Sequence, residues 1–300
     1  VHDNAAVTAV PAESPEIGAT IDAGGIATNV HLAGSGPDVL LLHGSGPGVS
    51  AWANWRLTIP ALAEHFRVIA PDIVGFGYTE RPPGIRYDLT QWTAHAVAVM
   101  DALDVQQCHV AGNSFGGSLA LSLAITHPDR VAGLVLMGAT GVPFTITPGL
   151  EAVWGYEPSV EAMAELLGIF AYDRSLVGPD LAELRYQAST RPGVQEAFAA
   201  MFPAPRQQAL DAITHRPDDI AGIRSPTLIV HGRDDQIIPV SNAVALLDLI
   251  DDAQAHIFGR CGHWTQIEHA SAFNTLVVDF LQGRSSTGTA AEFRENPATR

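Results

Sequence analysis

Gly112-Asn113-Ser114-Phe115-Gly116-Gly117 (GNSFGG, residues 112–117) is the stretch on which the reading of this 300-residue chain turns. An apolar run, QQCHVA, leads into it, and a helix of small residues, GSLALSLAIT, follows. A serine between two glycines, at a strand-to-helix junction, matches the G-x-S-x-G elbow: a turn too sharp for a side chain at its flanks, which lifts one hydroxyl clear of a sheet. The free N–H groups opening the following helix point at any negative charge that forms there. A glycine-rich turn with an incidental serine is the plain alternative.

Outward from the elbow, short apolar runs alternate with helical patterns, as expected of βαβ units around a mostly parallel sheet. The strands read as 39–44, 67–72, 108–113, 133–139, 226–232 and 255–259, with helices over 89–103, 118–126 and 241–249. The stretch IDAGGIATNVHLAGSGP (21–37) reads as an antiparallel hairpin at the sheet's edge. From Val142 to about Ile220 no strand pattern occurs. Helical runs such as VEAMAELLGIFAY, GPDLAELRYQAS and VQEAFAAMF, punctuated by eight prolines, fill it. The expectation is an α/β-hydrolase fold: an eight-stranded, mostly parallel sheet flanked by helices, with a core over 17–141 and 221–284. A helical cap is inserted over 142–220, and the ends (1–16 and 285–300) are disordered.

Composition narrows the chemistry. A net charge of −16 argues against nucleic acid or an anionic membrane as partner. All sixteen basic residues are arginine, which removes Schiff-base chemistry and lysine-dependent phosphate loops. No apolar run is long enough to span a bilayer, and the start lacks the pattern of a secretory signal, so a cytoplasmic enzyme is expected. Two cysteines make no disulfide framework. Cys108 reads as a core residue. Cys261, two residues before His263, is a remote candidate nucleophile.

A serine needs a base, and in this fold the order along the chain is serine, acid, histidine. His263, in GRCGHW after the last strand, is the best-placed base. His231 and His256 read as strand residues, and His269 as helix-side. In HGRDDQIIP the spacing from Gly232 favours Asp235 over Asp234 as the acid. The Phe115 backbone N–H, with that of Ser45 in LLHGSGPG, would form the oxyanion hole. The same loop offers a rival: Gly46-Pro47-Gly48-Val49-Ser50-Ala51 formally matches a dinucleotide fingerprint, with Asp72 after the next strand. That reading leaves GNSFGG, HGRDD and CGHW unexplained. A second rival is an inactive binding protein on this scaffold.

A serine nucleophile points to acyl chemistry. The segments HGSGPGVSAWANW, GNSFGGSLAL, AVWGYEPS, FAYDRSL, LRYQASTRPG, MFPAPRQ, HGRDDQIIP and FGRCGHWTQIEHA together resemble the meta-cleavage-product hydrolases of aromatic catabolism. The similarity runs over about residues 17–283, cap included, and is closest to the branch acting on 2-hydroxymuconate semialdehyde and its small alkyl homologues. It implies cofactor-free C–C bond hydrolysis in a homo-oligomer, with a small anionic dienoate as substrate. The family's triad falls on Ser114, Asp235 and His263, the same residues chosen from spacing. Its carboxylate-gripping cap arginine falls on Arg185, and its polar pocket on Asn54, Asn113 and Trp264.

A guanidinium suits a carboxylate that a −16 protein would otherwise repel; a surface ion pair with Glu183 or a neighbour is the bland alternative for Arg185. The C6 substituent would meet some of Val142, Phe144, Ile146, Val153, Trp154, Phe198, Phe202 and Ile237, and the resemblance favours hydrogen or small alkyl over phenyl. A carboxylesterase of the same fold is the nearest alternative activity.

Overall fold

The computed structural model describes residues 14–283. Eight strands form one sheet: β1 (Ala19–Asp22), β2 (Ala27–Ala33), β3 (Asp38–Leu42), β4 (Arg67–Pro71), β5 (Cys108–Asn113), β6 (Val131–Met137), β7 (Thr227–Gly232) and β8 (Ala253–Phe258). Their order across the sheet is β1-β2-β4-β3-β5-β6-β7-β8. β2 is antiparallel to both β1 and β4, and all remaining pairs are parallel.

The sequence dictates which strands sit inside. β6 (VAGLVLM) and β7 (TLIVHG) are near-continuous apolar runs and are buried on both faces, as parallel strands under helices must be. β1 alternates half-buried and exposed residues, as fits an edge. β8, at the other edge, exposes Gln254, Ala255, His256 and Ile257. Two apolar clusters fill the two faces. One holds Leu40, Leu42, Val110 and Leu136; the other holds Val39, Leu41, Ala111, Val135 and Val230. Consecutive residues of β3 thus pack on opposite sides, as the period of a strand requires.

Between β6 and β7 there is no strand among the described residues. Six helices lie there: Pro148–Trp154, Val160–Phe170, Pro179–Ser189, Val194–Met201, Arg206–Asp211 and Pro217–Ala221. Three of them begin with proline, which suits a first helical turn because its missing N–H has no partner there.

Most differences from the expected strand bounds are one or two residues at the ends. One difference matters: the helix after the elbow spans Phe115–Thr126 rather than starting at Ser118, so it begins directly after Ser114. The disorder expected over residues 1–13 and 285–300 lies outside the described residues. Glu16, also placed in the disordered start, is instead buried and ion-paired.

Parallel strands aim their C-terminal ends at one edge, and the loops there carry the chemistry-bearing residues. Ser45 follows β3, Ser114 follows β5, Gly138 follows β6, Asp235 follows β7 and His263 follows β8. Five loops converge on one crevice.

Candidate active site

Ser114 has φ 54° and ψ −116°, a conformation costly for any residue with a side chain. Hydrogen bonds hold it there: Ser114 N–H donates to Met137 O (2.9 Å), and Thr140 N–H donates to Ser114 O (3.1 Å). The flanking glycines are obligatory by close approach. A Cβ on Gly112 would lie 2.2 Å from Gly116 O, and one on Gly116 would lie 2.3 Å from Leu42 O. Phe115 anchors the next position, its buried ring edge-on to Trp92 at 4.7 Å. Burying such a ring contributes about 1.5–3 kcal/mol, which holds the Phe115 N–H at the first turn of the helix. The first N–H groups of a helix have no partner within it.

His263 and Asp235 form a tight pair, Nδ1–H donating to Oδ2 at 2.7 Å. Asp235 Oδ1 accepts from the Ile237 and Ile238 N–H groups (2.8 and 3.0 Å), and His231 Nε2 stands 3.3 Å from Oδ2. Burial opposes ionisation of Asp235, but the positive charge His263 gains, with hydrogen bonds from His231 and His263, outweighs it. The carboxyl is held well below its ordinary range. Room for the pair comes from Gly138, at φ 50°, where a Cβ would come within 3.1 Å of the His263 ring. Asp234 turns away, meeting Arg233 and the Cys261 N–H. Of the two neighbours, Asp235 is the one that reaches His263.

Ser114 and His263 line one cavity of about 310 Å³. No hydrogen bond joins the Ser114 hydroxyl to the His263 ring among the described residues. Such contacts characteristically tighten only around substrate. Gly44, Ser45 and Gly46 form the wall beside the serine, and a Cβ on Gly44 would sit 3.3 Å from Ser114 Cβ. The Ser45 hydroxyl accepts from Trp154 Nε1 (2.9 Å), which fixes this loop against the helical segment.

The polar residues expected in the pocket are all on its wall: Asn54, Asn113, Arg185 and Trp264. Asn54 Nδ2 donates to Asn113 Oδ1 (2.9 Å), Asn113 Nδ2 donates to Met137 O (3.2 Å), and Asn54 Oδ1 is buried without a protein partner. Trp264 stacks on Phe170 at 5.0 Å. Arg185 pairs with Glu16, not with Glu183, and also points Nη1 at Gly48 O (3.5 Å). A second guanidinium on the wall, Arg56, was missed from the sequence, as was Glu16. The signal for Arg56 was present: it directly follows the quoted HGSGPGVSAWANW, in a chain short of cations.

Of the side chains expected around a C6 substituent, only Val153 and Ile237 line the cavity. Leu150, Met163, Leu166, Leu167 and Phe170 make up much of the rest. Trp154, Phe198 and Phe202 instead pack on one another behind the wall, Trp154 stacked on Phe202 at 4.3 Å. The alternation of apolar residues could not say which face of each helix the cavity takes.

The remaining candidates have other work. Cys261 is fully buried beside Glu268, and burial together with that carboxylate pushes its thiol up, so no thiolate is available. His269 stacks on Phe258 and His256 lies on exposed β8. Asp72 is consumed in structure: it accepts from Ala51 N–H (2.6 Å), Tyr78 N–H (2.7 Å) and Asn29 Nδ2 (2.8 Å). It therefore has no role toward a ribose, and Gly48 is pressed against Ser189 rather than open to a pyrophosphate. Among the described residues no cluster of His, Cys, Asp or Glu is arranged to hold a metal ion, and no helix is long and apolar enough to cross a membrane.

Comparison with known proteins agrees with this geometry. The α/β hydrolase fold family model matches residues 37–163 and 181–270. A 2-hydroxymuconate semialdehyde hydrolase of Pseudomonas sp. (strain CF600) is 58% identical over 271 residues, 90% of this chain and 96% of that protein. A 2-hydroxy-6-oxo-2,4-heptadienoate hydrolase of Pseudomonas putida is 59% identical over 266 residues, covering 89% and 96%. The solved meta-cleavage product hydrolase of Pseudomonas fluorescens IP01, a serine-to-alanine variant complexed with acetates, superposes with a TM-score of 0.89. It is 55% identical and covers 90% of this chain and 99% of its own. The chain belongs to the α/β-hydrolase family and, within it, to the meta-cleavage-product hydrolases.

Proposed function

We propose that this enzyme hydrolyses the C5–C6 bond of 2-hydroxy-6-oxohexa-2,4-dienoates, with hydrogen or a small alkyl group on C6. The observation that carries this is a mostly apolar cavity into which the described residues bring a serine and a histidine, two asparagines and two guanidiniums. A simple ester needs only the serine and histidine. The arginines call for a substrate that also carries an anionic end.

Ser114 is the nucleophile, His263 its base and Asp235 the group that orients the imidazole and stabilises its cation. Arg185 and Arg56 hold the C1 carboxylate. Asn54 Oδ1, buried and unpartnered, accepts from the 2-hydroxyl. Ketonisation first moves a proton: it leaves the 2-hydroxyl and one arrives at C5, giving a 2,6-dioxohex-3-enoate whose C5 can depart with an electron pair. Ser114 Oγ then bonds to C6, its proton passing to His263 Nε2, while the new oxyanion rests on the Ser45 and Phe115 N–H groups. Each such donor is typically worth about 3 kcal/mol in the transition state.

Collapse breaks C5–C6. The electron pair delocalises through C3 and C4 onto the C2 oxygen, and the proton held by His263 passes to this dienolate, yielding 2-hydroxypenta-2,4-dienoate and a neutral imidazole. Water deprotonated by His263 then frees the short acid from Ser114; for the semialdehyde this acid is formate. No cofactor enters these steps. The small C6 group agrees with the bulky side chains that restrict the cavity, Leu150, Leu166, Phe170 and Ile237 among them. The same reading carries a cytoplasmic location and a homo-oligomeric state, which light scattering measures.

The test is purified protein assayed on a coloured ring-fission dienoate and on a nitrophenyl ester, without added cofactor. Faster turnover of the dienoate, abolished in Ser114→Ala, is expected. Cleavage of the ester alone would make the protein a carboxylesterase with a misread arginine pocket.

A further inference from the structure

His43 and Gly44 join the end of β3 to Ser45, and the imidazole of His43 is fully buried off the cavity wall. Both ring nitrogens are engaged. The Ile73 N–H donates to Nε2 at 2.9 Å, and a backbone nitrogen can only donate, so Nε2 carries no proton. The proton is therefore on Nδ1, which donates to Gly44 O at 2.7 Å. Burial, the largest influence on this ring, keeps it neutral against the charge of Asp72.

The Gly44 carbonyl belongs to the same peptide as the Ser45 N–H. That peptide is trans, and in a planar trans peptide the C=O and the N–H point in opposite directions. A grip on the one aims the other. The Ser45 N–H has no protein acceptor among the described residues, and Gly44 and Ser45 stand on the cavity wall beside Ser114.

The ring is itself held from two sides. Ile73 follows Asp72, whose carboxylate is bonded to Ala51, Tyr78 and Asn29. Phe76 meets the His43 ring edge-on at 5.3 Å and leans on Phe115 at 5.7 Å, so one aromatic side chain is shared by the two segments carrying the N–H donors. The remaining hold on the loop, Trp154 Nε1 on Ser45 Oγ, acts on a side chain and not on the peptide plane.

We propose that His43 is a positioning residue: by holding Gly44 O it aims the Ser45 N–H at the oxyanion that forms when Ser114 attacks. This rests on the serine mechanism above and its placement of the oxyanion, and holds for any acyl substrate. A misaimed donor weakens transition-state binding, whereas the arginines and the apolar wall still bind the ground state. The loss therefore falls on kcat rather than KM.

Three substitutions separate the donated hydrogen bond from the bulk of the ring. His43→Asn puts an amide N–H close to where Nδ1 stood, and His43→Leu has the same branching with no donor. His43→Gln reaches towards Ile73 with an acceptor but gives up the bond to Gly44 O. His43→Leu and His43→Gln are expected to lose roughly 10²-fold in kcat, the scale of removing one oxyanion donor. The loss should appear on the dienoate and on a nitrophenyl ester alike, with KM changed by less than about threefold. His43→Asn should keep kcat within about tenfold of the unsubstituted enzyme, although it leaves the Ile73 N–H as unpartnered as His43→Leu does. An alkylboronic acid, whose tetrahedral adduct on Ser114 mimics the oxyanion, should lose affinity in step with kcat.

Equal kcat in His43→Asn and His43→Leu overturns the proposal, as do losses that follow the melting temperature instead of the donor, or an unmoved boronic acid affinity. Should His43→Leu fail to fold, His43→Gln against His43→Asn decides by the same comparison. The ester alone suffices for the test, so it stands apart from the dienoate reading. If Ser114→Ala still turns over either substrate, or the unsubstituted enzyme does not bind the boronic acid, the serine mechanism itself is misread. That failure is visible before any His43 variant is made.

Discussion

Asp235 and Asp234 are adjacent in sequence and opposite in circumstance. Asp235 has no exposed side-chain surface and accepts from two backbone N–H groups and His263; Asp234 is part-exposed beside Arg233. A carboxylate so bonded, facing the charge His263 gains, stays ionised well below the ordinary carboxylate range despite its burial. Its contribution to the imidazolium is therefore constant above the ordinary carboxylate range, and is lost only in strong acid. Asp235→Asn keeps the shape but removes the charge and permits the wrong histidine tautomer. It is expected to lower kcat on the dienoate by roughly 10³–10⁴-fold, whereas Asp234→Asn should change it little. Equal effects of the two substitutions in steady-state assays would contradict the assignment of the acid.

At the scale of elements, the site depends on how closely the loop after β3 approaches the helix Pro179–Ser189. Gly48 sits at φ 67°, and a Cβ there would meet Ser189 N at 2.5 Å and Ala188 C at 2.7 Å. Both contacts are backbone, so a rotamer change cannot relieve them. Gly48→Ala combines a left-handed residue with overpacking and is expected to destabilise the fold by about 2–4 kcal/mol. Because Arg185 projects from that helix, KM for the dienoate should rise more than KM for a nitrophenyl ester. Urea unfolding and the two KM values check this; an unaltered midpoint of unfolding would mean that the helix shifts freely.

Over the whole molecule, several buried histidines are held neutral by position. His95 donates Nε2–H to Thr28 Oγ1 (2.9 Å) and accepts the Val74 N–H at Nδ1 (3.3 Å); burial, then the neighbouring His43, lowers its pKa to about 4. Burial likewise lowers His43, His109 and His215. In the unfolded chain each takes up a proton near the ordinary histidine value. For His95, between that value and about 4, the unfolded state thus binds more protons than the folded one, and the other three shift in the same direction. Stability is complete above about pH 6.5 and falls as the pH drops through this window, by about 3 kcal/mol for His95 alone. The melting temperature at constant salt should decline from pH 7 to pH 4. A flat profile would mean that these rings accept protons without breaking their hydrogen bonds.

Much of this was legible in the residues themselves. The elbow, the strand alternation, the strand-free segment after β6 and the order serine–acid–histidine are local patterns, and local patterns are set by backbone sterics and hydrophobic period. Ser114, Asp235 and His263 could be picked out because each follows a strand end whose position the pattern announces. Arg56 left only its place directly after the HGSGPGVSAWANW motif as a signal, and Glu16 left none, although both stand in the sequence in plain view. Nothing local distinguishes a glutamate that folds back onto a guanidinium 169 residues away from one that faces water. The same holds for the cavity wall, where Leu150, Leu166 and Phe170 face inward while Trp154 and Phe202 stack behind it. Which charges end up sharing one desolvated space is a property of packing between distant segments, and only the tertiary structure decided it.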